Sequence, residues 1–396
     1  MSCGSTRPNL STSRANPSRS RTRVGEKIVL YDRLIVATGA TPIRPNFLGG
    51  ALDGVFLLHT MEDSFAVHRH LTERQAERAV LVGAGYIGLE MADALKQRGL
   101  DVTLLGRSKT VLPTVDPALG LMVAEELERN GVRVLTGIST VRIEQAVDGK
   151  QLRLSVIDSA GGHHLADLVI FAGGVRPNSD LAHRAAAKLG TSGAIAVTRR
   201  METNLPDVFA AGDCVETYHR LLDRPTYISL GTIAHKQGRV AGENAIGGDR
   251  QFAGALGTQS IKVFNLAIAR TGLLDHEARS GGFDPLTAAT EANDHKAYYP
   301  GAVLLHILMS GDRATGSLLG AQILGPRKAE ISKRIDIVAA ALFQNAAVED
   351  LNDMDLSYTP PFSSPWDPIQ TAAQTWVATA RDAPLYRKVG MDETAA

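Results

Sequence analysis

The chain has 396 residues, 44% hydrophobic and 21% charged, the range of a globular protein long enough for two or three domains. Its 42 Lys and Arg balance 42 Asp and Glu, so charge recommends neither nucleic acid nor an anionic membrane as a partner. No apolar run approaches the ~18–20 residues that span a bilayer, and the two cysteines, Cys3 and Cys214, cannot build a disulfide framework, which points to the cytoplasm.

Residues 1–25 are rich in Ser, Arg, Thr, Asn and Pro and lack the apolar stretch of a secretory signal. They read as a disordered segment. A basic, acid-free start also fits a transit peptide, but shows no amphipathic period. Short β-type runs are expected at 27–30 and 34–37, the second leading into Thr38-Gly39-Ala40. A helix over 63–78, a strand at 79–82, a glycine loop at 83–88 and a helix over 89–98 follow. Then come a strand at 102–105, a helix over 117–130 and a strand at 132–135. This alternation predicts a doubly wound α/β domain with a parallel sheet. Residues 140–157 and 167–171 read as antiparallel additions and a closing strand, with Gly161-Gly162 as a turn that leaves His163-His164 solvated. Segments 195–197 and 208–210 bracket a second α/β layer, and 228–244 is helical. Beyond Ser260 the texture becomes extended, at 261–264, 303–309 and 320–324, before a helix over 329–344 and a Pro-rich stretch at 358–368. No metal site is expected: His68 and His70 stand two apart on a helix and do not share a face.

The strongest local signal is Gly83-Ala-Gly85-Tyr86-Ile87-Gly88 between a strand and a helix. Gly83 permits the tight turn, Gly85 lets the backbone approach a pyrophosphate, and Gly88 lets helix and strand pack closely. The free N–H groups of the helix amino end, around Tyr86 and Ile87, then face the phosphates of a dinucleotide. An acid at the end of the next strand would hold the ribose hydroxyls of NAD. Gly106 stands there instead, followed by Arg107 and Lys109. Two cations without a carboxylate suit a 2′-phosphate, which favours NADP over NAD; the alternative is that both are merely solvated.

Three further motifs flank that loop: Tyr31-Asp-Arg-Leu-Ile-Val-Ala-Thr38-Gly39-Ala40, Phe171-Ala-Gly173-Gly174-Val-Arg-Pro177-Asn178 and Asp207-Val-Phe-Ala-Ala-Gly212-Asp213. In this order they resemble the pyridine nucleotide–disulfide oxidoreductase family, from about Tyr31 to Trp376. The resemblance implies an α/β chain in which a Rossmann-like NAD(P) domain (48–176) is inserted in a partial FAD domain (26–47 and 177–254). An α+β dimerisation domain (255–376) and a tail (377–396) follow, in a homodimer. It implies that Gly212 and Asp213 meet the FAD ribityl chain, where the alternative for Asp213 is a helix N-cap. Thr38 and Gly39 would lie by the chain crossover, and Gly173 and Gly174 would contribute to cofactor binding. Gly231 and Thr232 would open the helix that faces the flavin pyrimidine and stabilises negative charge there. Tyr86 would cover the nicotinamide pocket, or be simply half-buried, and Glu90 would stand near the flavin face. Leu356-Ser-Tyr358-Thr-Pro-Pro-Phe-Ser-Ser-Pro-Trp366-Asp367-Pro368, with His295-Lys-Ala-Tyr298-Tyr299-Pro300-Gly301, resembles the coenzyme A-disulfide reductase and NADH oxidase subgroup. There Tyr358 would serve the partner subunit's active site as a hydrogen-bond donor, or pack in the interface.

Two parts of the family pattern are not found. Nothing before Lys27 has the strand–G-x-G-x-x-G–helix form that holds the FAD pyrophosphate, and Cys3 does not match the redox cysteine carried on a helix after it. Cys214 reads as a small buried hydrophobe. The function expected is FAD-dependent NAD(P)H oxidation, with hydride passing to flavin and electrons onward to a small acceptor: disulfide, persulfide or oxygen. Disulfide reduction is in doubt because it needs a thiolate at the flavin. Two alternatives remain: a truncated, non-enzymatic nucleotide-binding remnant, and a subunit completed by a separate chain carrying the FAD half.

Overall fold

The computed structural model describes residues 8–10, 17–22, 25–148, 151–190 and 192–382. The chain divides into two compact units, one of residues up to Ile43 with Gly174–Ala255, the other of Arg44–Gly173 with the residues from Leu256 onward.

In the second unit, five parallel strands lie in the order Val55–Leu57, Leu168–Phe171, Arg78–Val82, Asp101–Gly106, Val132–Thr136. The doubly wound alternation is present, with Val55–Leu57 as a strand the sequence reading did not single out. Both faces of this sheet are covered, so its strands are largely apolar, with Arg78, Asp101 and Arg133 near their starts. On one face the helices Tyr86–Gln97 and Pro117–Arg129 lay down Leu89, Ala92 and Leu95, and Leu119, Val123 and Leu127, at helical spacing. On the other, an antiparallel sheet of Thr140–Asp148, Gln151–Asp158 and His163–Ala166 packs Ile143, Leu154 and Val156 against Val80, Leu105 and Val169.

Two local expectations are corrected here. The helix expected over 63–78 is Met61–Glu73, opened by a Thr60–Asp63 capping box and ended by Gln75 at φ 49°. Beyond it the Asp167 carboxylate accepts from the Glu77 and Arg78 N–H groups at 2.9 and 3.0 Å, and Arg78 begins a strand. His164 is not solvated. It lies buried on a strand, with Nε2 2.7 Å from Asp158 Oδ2, while Asp158 Oδ1 accepts from the Ala160 and Gly162 N–H groups and so closes the turn.

The C-terminal part of this unit is a five-stranded antiparallel sheet in the order Gln259–Val263, Leu266–Gly272, Leu318–Pro326, Leu304–Asp312, Pro285–Asn293. Two of these strands, Leu266–Gly272 and Pro285–Asn293, are rich in Ala and Thr and give little hydrophobic-run signal. Helices Ile331–Phe343 and Pro368–Asp382 accompany the sheet. The second continues past residue 377, where a tail was expected, because Trp376, Val377 and Ala380 are buried; Trp376 Nε1 donates to Leu286 O at 2.7 Å.

This sheet and the parallel-sheet domain share one core. Ile261, Val263, Ile268 and Leu324 join the cluster of Leu89, Leu95, Val123 and Leu127. Polar contacts follow the same seam. Asp93, 3% exposed, pairs with Lys262 Nζ at 2.6 Å and accepts from Phe264 N at 3.1 Å and from the Gln97 amide. Gln322 Oε1 accepts from Asp116 N at 2.6 Å, and Glu126 Oε1 from Asn265 N at 3.3 Å.

In the first unit, Pro8–Leu10, Pro17–Thr22 and Gly25–Leu30 form an antiparallel meander. A disordered segment was expected over residues 1–25; within it Pro8–Leu10 and Pro17–Thr22 are paired strands. Cys3 lies outside the described residues. Leu34–Val36 runs parallel to Val208–Ala210, and Ala40–Pro42 antiparallel to Val175–Pro177. Ile195 makes isolated bridges rather than a strand. The helix expected from 228 spans Gly231–Ala245, with Ile233, Val240 and Ala241 packed among Phe209, Ala211 and Phe252. No helix among the described residues is long and apolar enough to cross a membrane.

The Asp93 carboxyl sits below its ordinary value: burial raises it, but Lys262, Gln97 and the Phe264 N–H outweigh burial. Its stabilising contribution is therefore full above pH ~4 and lost as pH falls further. Lys262→Met is expected to cost about 1–3 kcal/mol in urea unfolding at neutral pH, with a smaller penalty in acid as Asp93 protonates.

Candidate functional site

Strand Arg78–Val82 ends in the middle of its sheet, and the chain turns there through Gly83 at φ +119°. A side chain at Gly83 would overlap the Ala172 carbonyl, and one at Gly88 would overlap the Gly83 carbonyl. The helix therefore starts directly against the strand it follows. Its N-cap is Gly85, with no side-chain cap, and a Cβ placed there meets nothing within 4 Å. The amino end of Tyr86–Gln97, including Tyr86 and Ile87, thus presents uncapped N–H groups and the positive end of the helix dipole to open space, as an anion needs. The neighbouring strand ends at Gly106, where a Cβ would lie 2.9 Å from Ala84 Cβ. Arg107 and Lys109 follow, both exposed.

Tyr86 is half-buried and packs on the core cluster. Burial raises its phenol above the ordinary value, against the pull of the Thr114 hydroxyl and the Arg270 guanidinium. Glu90 lies one turn further along the helix; its residue surface is exposed, while partial desolvation of the carboxyl raises it. Gly173 ends the second unit's first segment and Gly174, at φ +97°, opens the other unit; a Cβ at either meets nothing within 4 Å.

In the first unit, Thr38, Gly39, Gly212, Asp213, Gly231 and Thr232 are set by a separate group of contacts. Asn178 clasps the crossover: its Nδ2 donates to Thr38 O at 2.9 Å, its backbone N–H to Gly39 O at 2.9 Å, and its Oδ1 and O accept from Thr41 and Thr38 hydroxyls, each at 2.6 Å. Gly39 takes φ +67°, and a Cβ there meets nothing within 4 Å. Gly212, at φ +85°, donates its N–H to the fully buried Gln237 at 3.0 Å. Asp213 occupies the turn after Val208–Ala210, and no helix starts there, so it is not an N-cap. Tyr227 donates its hydroxyl to Asp213 O at 2.9 Å; burial and the Asp213 charge push that phenol up to about 12, so it stays a donor. The helix at Gly231 has no side-chain cap. Cys214 is buried as a small hydrophobe, its Sγ near Ala211 O and Val36 O.

Tyr358 lies in the second unit, 44% exposed, and its phenol is raised by slight desolvation and by the neighbouring Tyr298, itself 74% exposed. Sequence reasoning missed what holds their two loops. Buried Arg334 donates through Nη2 to Asp294 O at 2.7 Å and Phe362 O at 3.2 Å, and through Nη1 to Asp367 at 2.7 Å. An arginine amid Ile331, Ile335 and Val338 on an apolar helix face was the available signal. Asn178 was visible within a quoted motif, but its clasp depends on long-range pairing.

Residues 11–238 match the pyridine nucleotide-disulphide oxidoreductase family, and residues 258–368 its dimerisation domain. The chain is 38% identical over 357 residues to an NAD(P)H sulfur oxidoreductase (CoA-dependent) of Pyrococcus furiosus, covering 90% of this chain and 79% of that one. It is 30% identical over 340 residues to a coenzyme A disulfide reductase of Staphylococcus aureus, covering 86% and 74%. A solved NAD-dependent persulfide reductase from A. fulgidus superposes with a TM-score of 0.89 at 32% identity, over 98% of this chain and 70% of that one.

Gly88→Ala should force the helix away from the glycine loop. Calorimetry is expected to show dinucleotide affinity reduced at least about ten-fold, because the amides no longer converge on one phosphate; unchanged affinity would show that the loop is not the binding element.

Proposed function

Because the chain belongs to the pyridine nucleotide-disulphide oxidoreductase family, we propose that it binds NADPH in preference to NADH at the glycine loop of Gly83, Gly85 and Gly88 and acts as an FAD-dependent oxidoreductase. The observation that carries this reading is the uncapped helix end above Gly85, open within 4 Å, with Gly106 rather than an acid beside it. The backbone N–H groups there take the pyrophosphate. Arg107 and Lys109 offer a 2′-phosphate two cations, where a carboxylate would repel it.

The residues of the first unit fit a flavin's ribityl and pyrimidine end. Asp213 supplies an acceptor for a ribityl hydroxyl, Gly39 and Gly231 leave space within 4 Å, and the uncapped amino end at Gly231 favours negative charge. When bound, FAD supplies a two-electron acceptor for the nicotinamide hydride and passes the electrons on. The protonated Tyr227 and the clasp of Asn178 hold the two backbone segments that present these groups. Tyr86 covers the nicotinamide side of the loop and Glu90 lies a turn beyond it. Tyr358 serves as a hydrogen-bond donor across a homodimer built on residues 258–368.

For the acceptor, the names of the relatives point to sulfur compounds: sulfur, persulfide and coenzyme A disulfide. Among the described residues the free cysteine, Cys214, is buried, so it offers no thiolate for a disulfide. The electron acceptor we propose is a small diffusible molecule, a sulfur compound or oxygen.

Calorimetry is expected to show tighter binding of NADPH than NADH. Arg107→Ala should weaken NADPH about ten-fold, one charge-assisted phosphate contact, and leave NADH within about two-fold. Equal affinities, unchanged in the variant, would defeat the preference. Protein supplemented with FAD should show flavin absorption after desalting and oxidise NADPH in air. A folded, nucleotide-binding protein that does neither would defeat the oxidoreductase reading.

A further inference from the structure

Helix Gly231–Ala245 carries two buried polar side chains, Gln237 and Asn244. Gln237 is 0% exposed. An amide is stable at such a place only when both of its ends find partners. Its Oε1 accepts from Gly212 N at 3.0 Å, and its Nε2 donates to Thr217 Oγ1 at 3.1 Å. A backbone N–H can be met only by the amide oxygen, so the side chain has a single satisfactory orientation. Thr217, 1% exposed, is as dry as the glutamine it receives.

Gly212 stands where the chain leaves strand Val208–Ala210, at φ +85°, one residue before Asp213. The preceding Ala211 still donates to Val36 O at 3.0 Å and so belongs to the sheet. The Gly212 N–H is instead taken by the helix. A Cβ at Gly212 would lie 3.7 Å from Ala234 Cβ, and Ala234 is one turn before Gln237 on the same helix face. Helix and turn therefore meet twice, by close approach at Ala234 and by a buried hydrogen bond at Gln237. Gln237 sits roughly 9 Å along the axis from Gly231, where the uncapped amino end lies.

We infer that Gln237 is a positioning residue for the flavin: by holding the Gly212 N–H from the helix that opens at Gly231, it sets the Asp213 turn and the helix amino end at one fixed separation. The ribityl chain and the pyrimidine are then met by a single rigid pair of segments. This rests on the reading of Asp213 and Gly231 as flavin contacts. Fully buried, Gln237 acts through Gly212 and not on the flavin itself. Asn244 provides a control on the same helix. It is 5% exposed; its Nδ2 donates to Arg200 O and Arg250 O and its Oδ1 accepts from Arg250 N, all at 2.8 Å. It fastens the helix by the same chemistry to partners other than the turn at Gly212.

The test is flavin Kd, read by fluorescence quenching on the full chain, with Tm followed in parallel. Gln237→Met keeps the length of the side chain and removes its polar atoms. It is expected to weaken FAD about three- to ten-fold, the scale of one lost hydrogen bond, and by less than about two-fold in the Asp213→Ala background, where the contact it positions is gone. Riboflavin, which has the ribityl chain and the pyrimidine but no pyrophosphate, should lose affinity by the same factor as FAD. Asn244→Leu should lower Tm while leaving both Kd values within about two-fold. If Gln237→Met does not fold, Gln237→Met with Thr217→Val carries the measurement: it removes both members of the buried polar pair, while the Gly212 N–H still lacks its acceptor. Equal fold-changes in the Asp213 and Asp213→Ala backgrounds, or a lowered Tm with unchanged Kd in the Gln237 variants, would overturn the inference. Wild-type protein that binds neither FAD nor riboflavin would overturn the flavin reading, and this inference with it.

Discussion

Gly88 backs so closely onto the carbonyl of Gly83 that no side chain fits between them, and this single approach sets the geometry around it. It brings the helix to the end of the strand instead of letting it swing out on a longer turn. The first N–H groups of that helix are then left without partners at a point the polypeptide does not fill, above Gly85. Water can satisfy those amides, but a phosphate satisfies them and the dipole together. The apolar stripe of Leu89, Ala92 and Leu95 then fixes the rotation of the helix about its own axis, and with it which residues face the core.

The same helix carries the constraint into the C-terminal sheet. Asp93 sits one face away from the loop and is nearly excluded from water, which is tolerable because a cation, an amide and a backbone N–H all converge on it. Around it Ile261, Val263 and Leu324 enter the core of the nucleotide domain. Two sheets of unlike topology therefore share one core within one compact unit.

How much of this was legible follows from where each signal lives. The glycine loop and its strand were readable because the chemistry is local: three glycines in six residues and an apolar run before them. The end of the helix at Glu73 was not, because it is enforced by the Asp167 carboxylate gripping Glu77 and Arg78 from far along the chain. His164 looked solvated beside two glycines, yet those glycines fold the turn that brings Asp158 to it. Strands such as Pro285–Asn293 are alanine- and threonine-rich and take their strand character from their neighbours. For the sites the same division holds: Gly83, Gly88 and Gly212 announce themselves, whereas Asn178, Arg270 and Arg334 matter only for the segments they bring together.

Gly106 joins these threads. As a bare sequence position it is an absence, a strand end without the acid that a ribose would want. In the structure it is a packing requirement, since a Cβ there would stand 2.9 Å from Ala84 Cβ, closer than side chains approach one another. An Asp or Glu at 106 would have to push Ala84 outward. Ala84 O accepts from Leu112, so the displacement would travel into the loop that also carries Thr114. The lack of an acid at 106 thus has a packing cause as well as an electrostatic consequence. The contact that shapes the glycine loop also removes the group that would repel a 2′-phosphate, and the cations stand where the strand delivers them. The proposed preference for NADPH is therefore coupled to loop packing, and a change at either Gly106 or Ala84 should alter both.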